Sequence, residues 1–310
     1  MKRLGFALKP VPPFRLDLTV WTLRRRPHNI IDRWEDKTYR RVLAIPGGMA
    51  DVAVTQTRPP EEPRVRVEVE GERLGSEVRE AVTSALERLL GLQIDLSPFY
   101  LFAGRDPKLE ELADRFRGMK PPRYPTVFET LVNGIVCQQV TLSLGIQLLG
   151  KLAEACGLAE ASAGAGSHAF PRPKELAELP PDTFRQIGLS RQKTRALIEL
   201  ASAVSADTVD LEALVDKPDD VVLERLMQLR GVGRWTAEYA MLRGLGRLHI
   251  FPGDDVGGRK NLERWLNLPA SLDYEGVRRA LERWHAYAGL IYLHLLLERL
   301  ARAGDISQVP

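Results

Sequence analysis

No segment of the 310-residue chain is an uninterrupted apolar run of the length a membrane span needs. The start, Met1-Lys2-Arg3-Leu4, also lacks the apolar stretch and small-residue cleavage site of a secretory leader. The expectation is a cytoplasmic protein. Cysteine is scarce: Cys137 and Cys156 are too few for an iron-sulfur cluster held by four thiolates and poorly spaced for a structural zinc site, so both are expected to be reduced and structural. Net charge is small as well; a formal +3 is compatible with a polyanionic partner but does not identify one. No internal repeat is present. What the chain does have is an ordinary 44% hydrophobic content over a length sufficient for two or three domains around well-filled cores.

Organisation changes near residue 96. Before it, short β-favouring runs alternate with turn signals: Leu16 to Trp21, Tyr39 to Ile45, Ala53 to Thr55 and Val65 to Val69, the last in strict alternation, with breaks at Pro46-Gly47-Gly48 and around Pro59-Pro60. Residues Ser76 to Leu92 carry apolar positions at helical spacing, giving a helix able to cover one sheet face. After Leu96 the pattern is helical almost throughout. Helices are expected over 107–117, 127–155, 173–179, 181–187, 191–204, 221–229, 235–244, 259–265 and 274–303, with a loop at Ala161 to Ser167 and a connection at Asp216 to Asp220. The fold class is therefore α+β: a small antiparallel β-sheet N-terminal domain with a helix (1–96), followed by an all-α region (97–310).

Two expected helices flank Leu229-Arg230-Gly231-Val232-Gly233-Arg234-Trp235-Thr236. Two glycines around one apolar residue suit a tight hairpin whose backbone adopts conformations barred to residues with a Cβ. The unpaired amides at the start of the second helix then point at whatever approaches the turn, as phosphate binding requires. A bare Gly-x-Gly is more often a plain helix-helix turn. Downstream, Ile250-Phe251-Pro252-Gly253-Asp254-Asp255-Val256-Gly257-Gly258-Arg259-Lys260 sets two acids just before an expected helix. Taken alone, such a pair is more often a helix cap than a catalytic group.

Together these segments resemble the helix-hairpin-helix DNA glycosylase superfamily, and within it the DNA-3-methyladenine glycosylase II family. The likeness extends to Phe128 to Thr141, Phe170-Pro171-Arg172-Pro173, Gly188 to Lys193 and Glu282-Arg283-Trp284, and so over nearly the whole chain. The resemblance implies a helix-hairpin-helix at about 223–243 and a catalytic loop at 250–258. Its catalytic acid falls on Asp255, leaving Asp254 as cap or loop anchor. The residue that fills the gap left by a flipped base falls on Gln139, for which helix capping or packing is the competing account. The base-pocket aromatics fall on Trp235 and Tyr239, four residues apart on one helix face, with core packing as the alternative and Trp21 as a further contributor.

DNA contact is expected at Leu229, Gly231, Val232, Gly233, Arg234, Thr236, Arg259 and Lys260, with Arg230 nearby. The partner implied is double-stranded DNA containing damaged bases, bound by a monomer in the cytoplasm at the nucleoid. No cofactor is expected beyond a structural monovalent cation at the hairpin. Three positions depart from the family: Val256 and Leu296 stand where it has aromatics, and Trp284-His285-Ala286-Tyr287-Ala288 replaces a Trp-x-Pro-Trp-Arg stretch. The Schiff-base lysine of strand-nicking relatives is Trp235 here, and no zinc-deaminase signature is present. A non-catalytic helix-hairpin-helix DNA-binding or damage-sensing protein, and a glycosylase for oxidised or mispaired bases, are the competing functions.

Overall fold

The computed structural model describes residues 2–45, 48–72, 74–158 and 167–306. The expected break at Pro46-Gly47 and the expected loop at 161–166 lie outside them. The chain runs β1 (Lys2–Leu8), α1 (Leu16–Arg24), β2 (Arg33–Glu35), β3 (Thr38–Ile45), β4 (Gly48–Gln56), β5 (Val65–Gly71) and α2 (Ser76–Leu90). Helices follow: α3 (Ser97–Ala103), α4 (Pro107–Arg115), α5 (Val127–Cys137), α6 (Leu142–Cys156), α7 (Pro173–Glu178), α8 (Pro181–Ile187) and α9 (Arg191–Ser205). Then come α10 (Asp219–Met227), α11 (Arg234–Arg243), α12 (Val256–Leu266), α13 (Tyr274–Leu281) and α14 (Ala288–Arg302).

The sheet is antiparallel throughout, in the order β1-β5-β4-β3-β2. In β5 the period of two is obeyed: Val65, Val67 and Val69 are buried while Arg66 and Glu68 are exposed. Their core is closed by α2 through Val78, Val82, Leu86 and Leu89. Helix α5 is the hub of the helical part, buried at every position from Val127 to Val136. Its Thr126 caps the first turn by accepting from the Glu129 amide at 3.0 Å.

The expected elements are corrected at three places. Residues Leu16 to Trp21 are helix α1, not a strand. Leu16 and Val20 face the sheet core while Leu18 faces the helical core, so the helix is buried on nearly all sides and shows no polar stripe. Its buried Thr19 and Thr22 hydroxyls donate to the carbonyls of Arg15 and Leu18, each at 2.9 Å. The expected helix 127–155 is two helices broken at Gln138-Gln139, where Gln139 has φ +52° and Thr141 caps the second helix. The expected helix 274–303 is interrupted by a 3₁₀ turn at Glu282–Tyr287, where buried Trp284 leaves helical geometry and its indole donates to Asp106 Oδ2 at 3.2 Å. The sequence also gave no sign of β1, β2 or α3. Of the connection at 216–220, Asp219 and Asp220 already belong to α10. Among the described residues no helix is long and apolar enough to cross a membrane.

Candidate active site

The hairpin joins α10 to α11. Gly231 takes φ +76°, and a Cβ there would meet the Ala196 Cβ at 2.8 Å, so this position requires glycine on both counts. Gly233 differs. Its backbone, φ −91° and ψ 179°, is open to any residue, and a Cβ would meet nothing within 4 Å. Its missing side chain leaves room on the outer surface of the turn, where a partner can approach. The first backbone bond of α11 is Ala237 N to Gly233 O, so the amides before it at the helix start have no intrahelical acceptor.

Asp255, and not Asp254, caps α12. Its Oδ1 accepts from the Gly258 amide at 2.6 Å; its Oδ2 accepts from Trp235 Nε1 and from the Tyr292 hydroxyl, each at 3.0 Å. Asp254 is exposed. A carboxylate offers about four lone-pair sites, so three donors fix its orientation and leave one site on Oδ1 open. All three donors are neutral, which leaves the full negative charge available. Burial, with the Asp255 carboxylate adding to it, pushes the Tyr292 hydroxyl well above its usual range, so it remains a donor.

The loop bearing Asp255 is held from behind. Buried Glu238 of α11 accepts from the Gly253 amide at 3.0 Å and from the Tyr274 hydroxyl at 2.6 Å. The Asp255 amide donates to Pro252 O at 3.0 Å.

Asp255 sits in a cleft of about 670 Å³ lined by Trp235, Tyr239, Tyr292, Leu296, Arg25, Cys137 and Gln139, among others. Trp235 and Tyr239 stack with centroids 5.7 Å apart at 25°. Tyr239 is also tied into the interior, its hydroxyl in contact with that of Tyr124 at 3.2 Å and accepting from Arg25 at 3.1 Å. Tyr239 thus belongs to the core as well as to the cleft lining, whereas Trp235 is half-buried and lines the cleft. Exposed Gln139 stands at the cleft rim, on a loop that is well fixed. Gln138 Nε2 donates to Gly231 O at 2.7 Å and to Thr236 Oγ1 at 2.8 Å, while Lys193 Nζ donates to Gln138 O at 2.7 Å and Val136 O at 2.9 Å. The loop is thus tied directly to the hairpin.

Several expected contacts fall elsewhere. Trp21 does not line the cleft; it packs against the helical core with the Arg24 guanidinium 4.8 Å from its ring. The cleft residue from that end of α1 is Arg25. Val232 and Thr236 have buried side chains, one in the core and the other bonded to Gln138, so neither side chain is offered outward. Arg230 pairs with Glu199 at 2.6 Å. Leu229 packs partly against the core, and half-buried Arg259 donates to Leu272 O at 3.4 Å. Arg234 lies over the Tyr274 ring at 4.6 Å and is exposed, as is Lys260. Val256, 58% exposed, and Leu296 leave the pocket with less aromatic wall than the resemblance implies.

The family described as "HhH-GPD superfamily base excision DNA repair protein" matches residues 132–286, half the chain. The DNA-3-methyladenine glycosylase of Bacillus subtilis is 28% identical over 68% of this chain and 70% of its own length. A probable bifunctional transcriptional activator/DNA repair enzyme AlkA of Mycobacterium tuberculosis is 32% identical over 82% of this chain, which spans about half, 49%, of that protein. The solved 3-methyladenine DNA-glycosylase from Archaeoglobus fulgidus superposes with a TM-score of 0.83 at 26% identity, covering 97% of this chain and all of that one. The hairpin, the capped aspartate beyond it and these likenesses agree: the chain belongs to the HhH-GPD superfamily of base excision DNA repair proteins and is a DNA glycosylase.

Proposed function

We propose that the protein is a monofunctional glycosylase that flips alkylated bases of the 3-methyladenine type out of duplex DNA and releases them by hydrolysis, acting as a monomer. The observation that carries this reading is the Asp255 carboxylate, held by three neutral donors at the wall of a cleft that also presents stacked Trp235 and Tyr239. When the C1′–N bond breaks, its electron pair leaves with the base and positive charge develops on the sugar. A fixed carboxylate stabilises that charge, and the open site on Oδ1 suits an attacking water. Outer amides at the hairpin hold phosphate without reading sequence, and Gln139 occupies the gap in the stack.

Hydrolysis without strand nicking is favoured because the position facing Asp255 from the hairpin helix is an indole. Among the described residues lining the cleft there is no lysine. Backbone carbonyls of the hairpin such as Leu229 O, which accepts from the Val232 amide at 3.1 Å and keeps a second lone pair, are the neutral donors that would hold a monovalent cation there. When bound, such an ion would add positive field at the turn.

The test is base release from methylated, deaminated and oxidised duplexes, followed by denaturing gels with and without alkali. Release of methylated purines, with breaks only after alkali, is expected. Breaks without alkali would overturn the monofunctional reading, release of oxidised or mispaired bases alone would replace the specificity, and binding without release would leave a damage sensor.

A further inference from the structure

Helix α1 ends at Arg25, a residue with a side chain held in the left-handed region at φ +62°. That conformation costs free energy, and it turns the guanidinium into the interior, where the residue is 93% buried by its 7% exposure and lines the cleft. The head donates to Asn133 Oδ1 at 2.9 Å and to Tyr239 OH at 3.1 Å, and its Nε has no partner. Both acceptors are neutral. Tyr124, its ring 5.9 Å from the guanidinium, Tyr239, Cys137, Tyr292 and the neighbouring Arg26 surround it, and among the described residues it forms no ion pair with a carboxylate. Burying a cation without a counter-ion is expensive, so its presence in the cleft lining, bonded to Tyr239 as Asp255 is bonded to Trp235, calls for a use.

We propose that Arg25 is a specificity-determining residue that extends this glycosylase to neutral damaged bases. The proposal rests on the base-releasing function proposed above. In every substrate the C1′–N electron pair moves onto the base as the bond breaks, and water then adds to C1′ and loses a proton, which goes to solvent when the base leaves neutral and is matched by proton uptake on the base when it leaves as an anion. A cationic methylated purine becomes neutral, whereas a neutral base becomes an anion. A fixed guanidinium at the base end and the Asp255 carboxylate at the sugar end lie along that charge shift with the right signs. For a neutral base the guanidinium acts only in the transition state, raising kcat/KM. For a cationic base it repels the bound substrate and that repulsion is relieved on cleavage, so kcat and KM rise together and kcat/KM is unmoved.

The experiment compares release of hypoxanthine, neutral, with release of 7-methylguanine, cationic in the nucleoside, from duplex DNA. Arg25→Gln should lower kcat/KM for hypoxanthine by about 10²-fold and leave that for 7-methylguanine within about 3-fold, its kcat and KM falling together. Arg25→Lys should keep the wild-type pattern. Asn133→Asp leaves Arg25 in place but sets a carboxylate against it, and should reproduce the Gln pattern; it carries the test if Arg25→Gln does not fold. Equal loss on both bases, or no change in folded variants, overturns the proposal. A wild type that releases methylated purine but no hypoxanthine overturns it while leaving the proposed function standing, whereas release of neither base overturns that function.

Discussion

Replacing Glu238 by Gln probes how the loop bearing Asp255 is held. In the native site both carboxylate oxygens accept, from the Gly253 amide and the Tyr274 hydroxyl. An amide of the same shape can accept only one of these bonds and must turn its NH₂ toward the other donor. A lost hydrogen bond to a buried charged acceptor is worth about 1.5–3 kcal/mol, so a loss of about 2 kcal/mol in stability is expected. Gly253 lies two residues before Asp255, and misplacement of a reacting group by about 1 Å costs on the order of 10²-fold. Single-turnover release should therefore slow by about 10-fold to 10²-fold, with affinity for an abasic-site duplex unchanged because the hairpin is untouched. Tyr274→Phe removes the donor that the amide would oppose, so Glu238→Gln should cost measurably less in that background. Wild-type rates in a folded Glu238→Gln protein, or the same loss with and without Tyr274, would refute the reasoning.

Four further outcomes can be checked together. Gly233→Val should weaken binding to undamaged duplex, measured as affinity against salt concentration, while melting as the wild type does, since a side chain there meets only an incoming partner. Gly231→Val should lower the melting temperature as well, because of its positive φ and the contact with Ala196. Gln139→Ala should reduce base release from duplex more than from single strands, where no stack needs filling, and equal loss on both would count against its role. Buried His294, between Phe99 and Phe116, has its pKa pushed down to about 4 by burial. Unfolding raises it toward 6.5, so stability present above pH 6.5 should be lost as pH falls toward 4, by about 3 kcal/mol at most; His294→Phe should flatten that slope in thermal melts.

What the sequence disclosed follows from range. Strand β5 was legible because alternation is local, and the hairpin because its glycines and the following helix lie within a few residues. The place of Asp255 in the cleft was legible through its position after the hairpin. Its task as the cap of α12 was not, because two adjacent acids before a helix differ only in backbone geometry. The remaining cleft residues depend on distant partners. Tyr292 meets Asp255 across 37 residues and Arg25 meets Tyr239 across 214, and no spacing rule links such pairs. Trp21 was misplaced for a related reason: read as a strand, Leu16 to Trp21 offers alternate faces, whereas the helix turns Trp21 toward the helical core and brings Arg25 to the cleft.

The proposed chemistry depends most directly on Asp255. In Asp255→Asn the amide oxygen can keep the cap on Gly258 while the NH₂ opposes the Trp235 indole N–H, so a loss of about 2 kcal/mol with the fold retained is expected, along with loss of the charge proposed to stabilise the sugar cation. Single-turnover release of methylated purine from duplex should fall on the order of 10²-fold to 10⁴-fold, with binding to abasic-site DNA retained. Exposed Asp254→Asn should remain near wild type in both rate and melting temperature. A folded Asp255→Asn protein that releases base at the wild-type rate, beside a folded but inactive Asp254→Asn, would contradict the assignment.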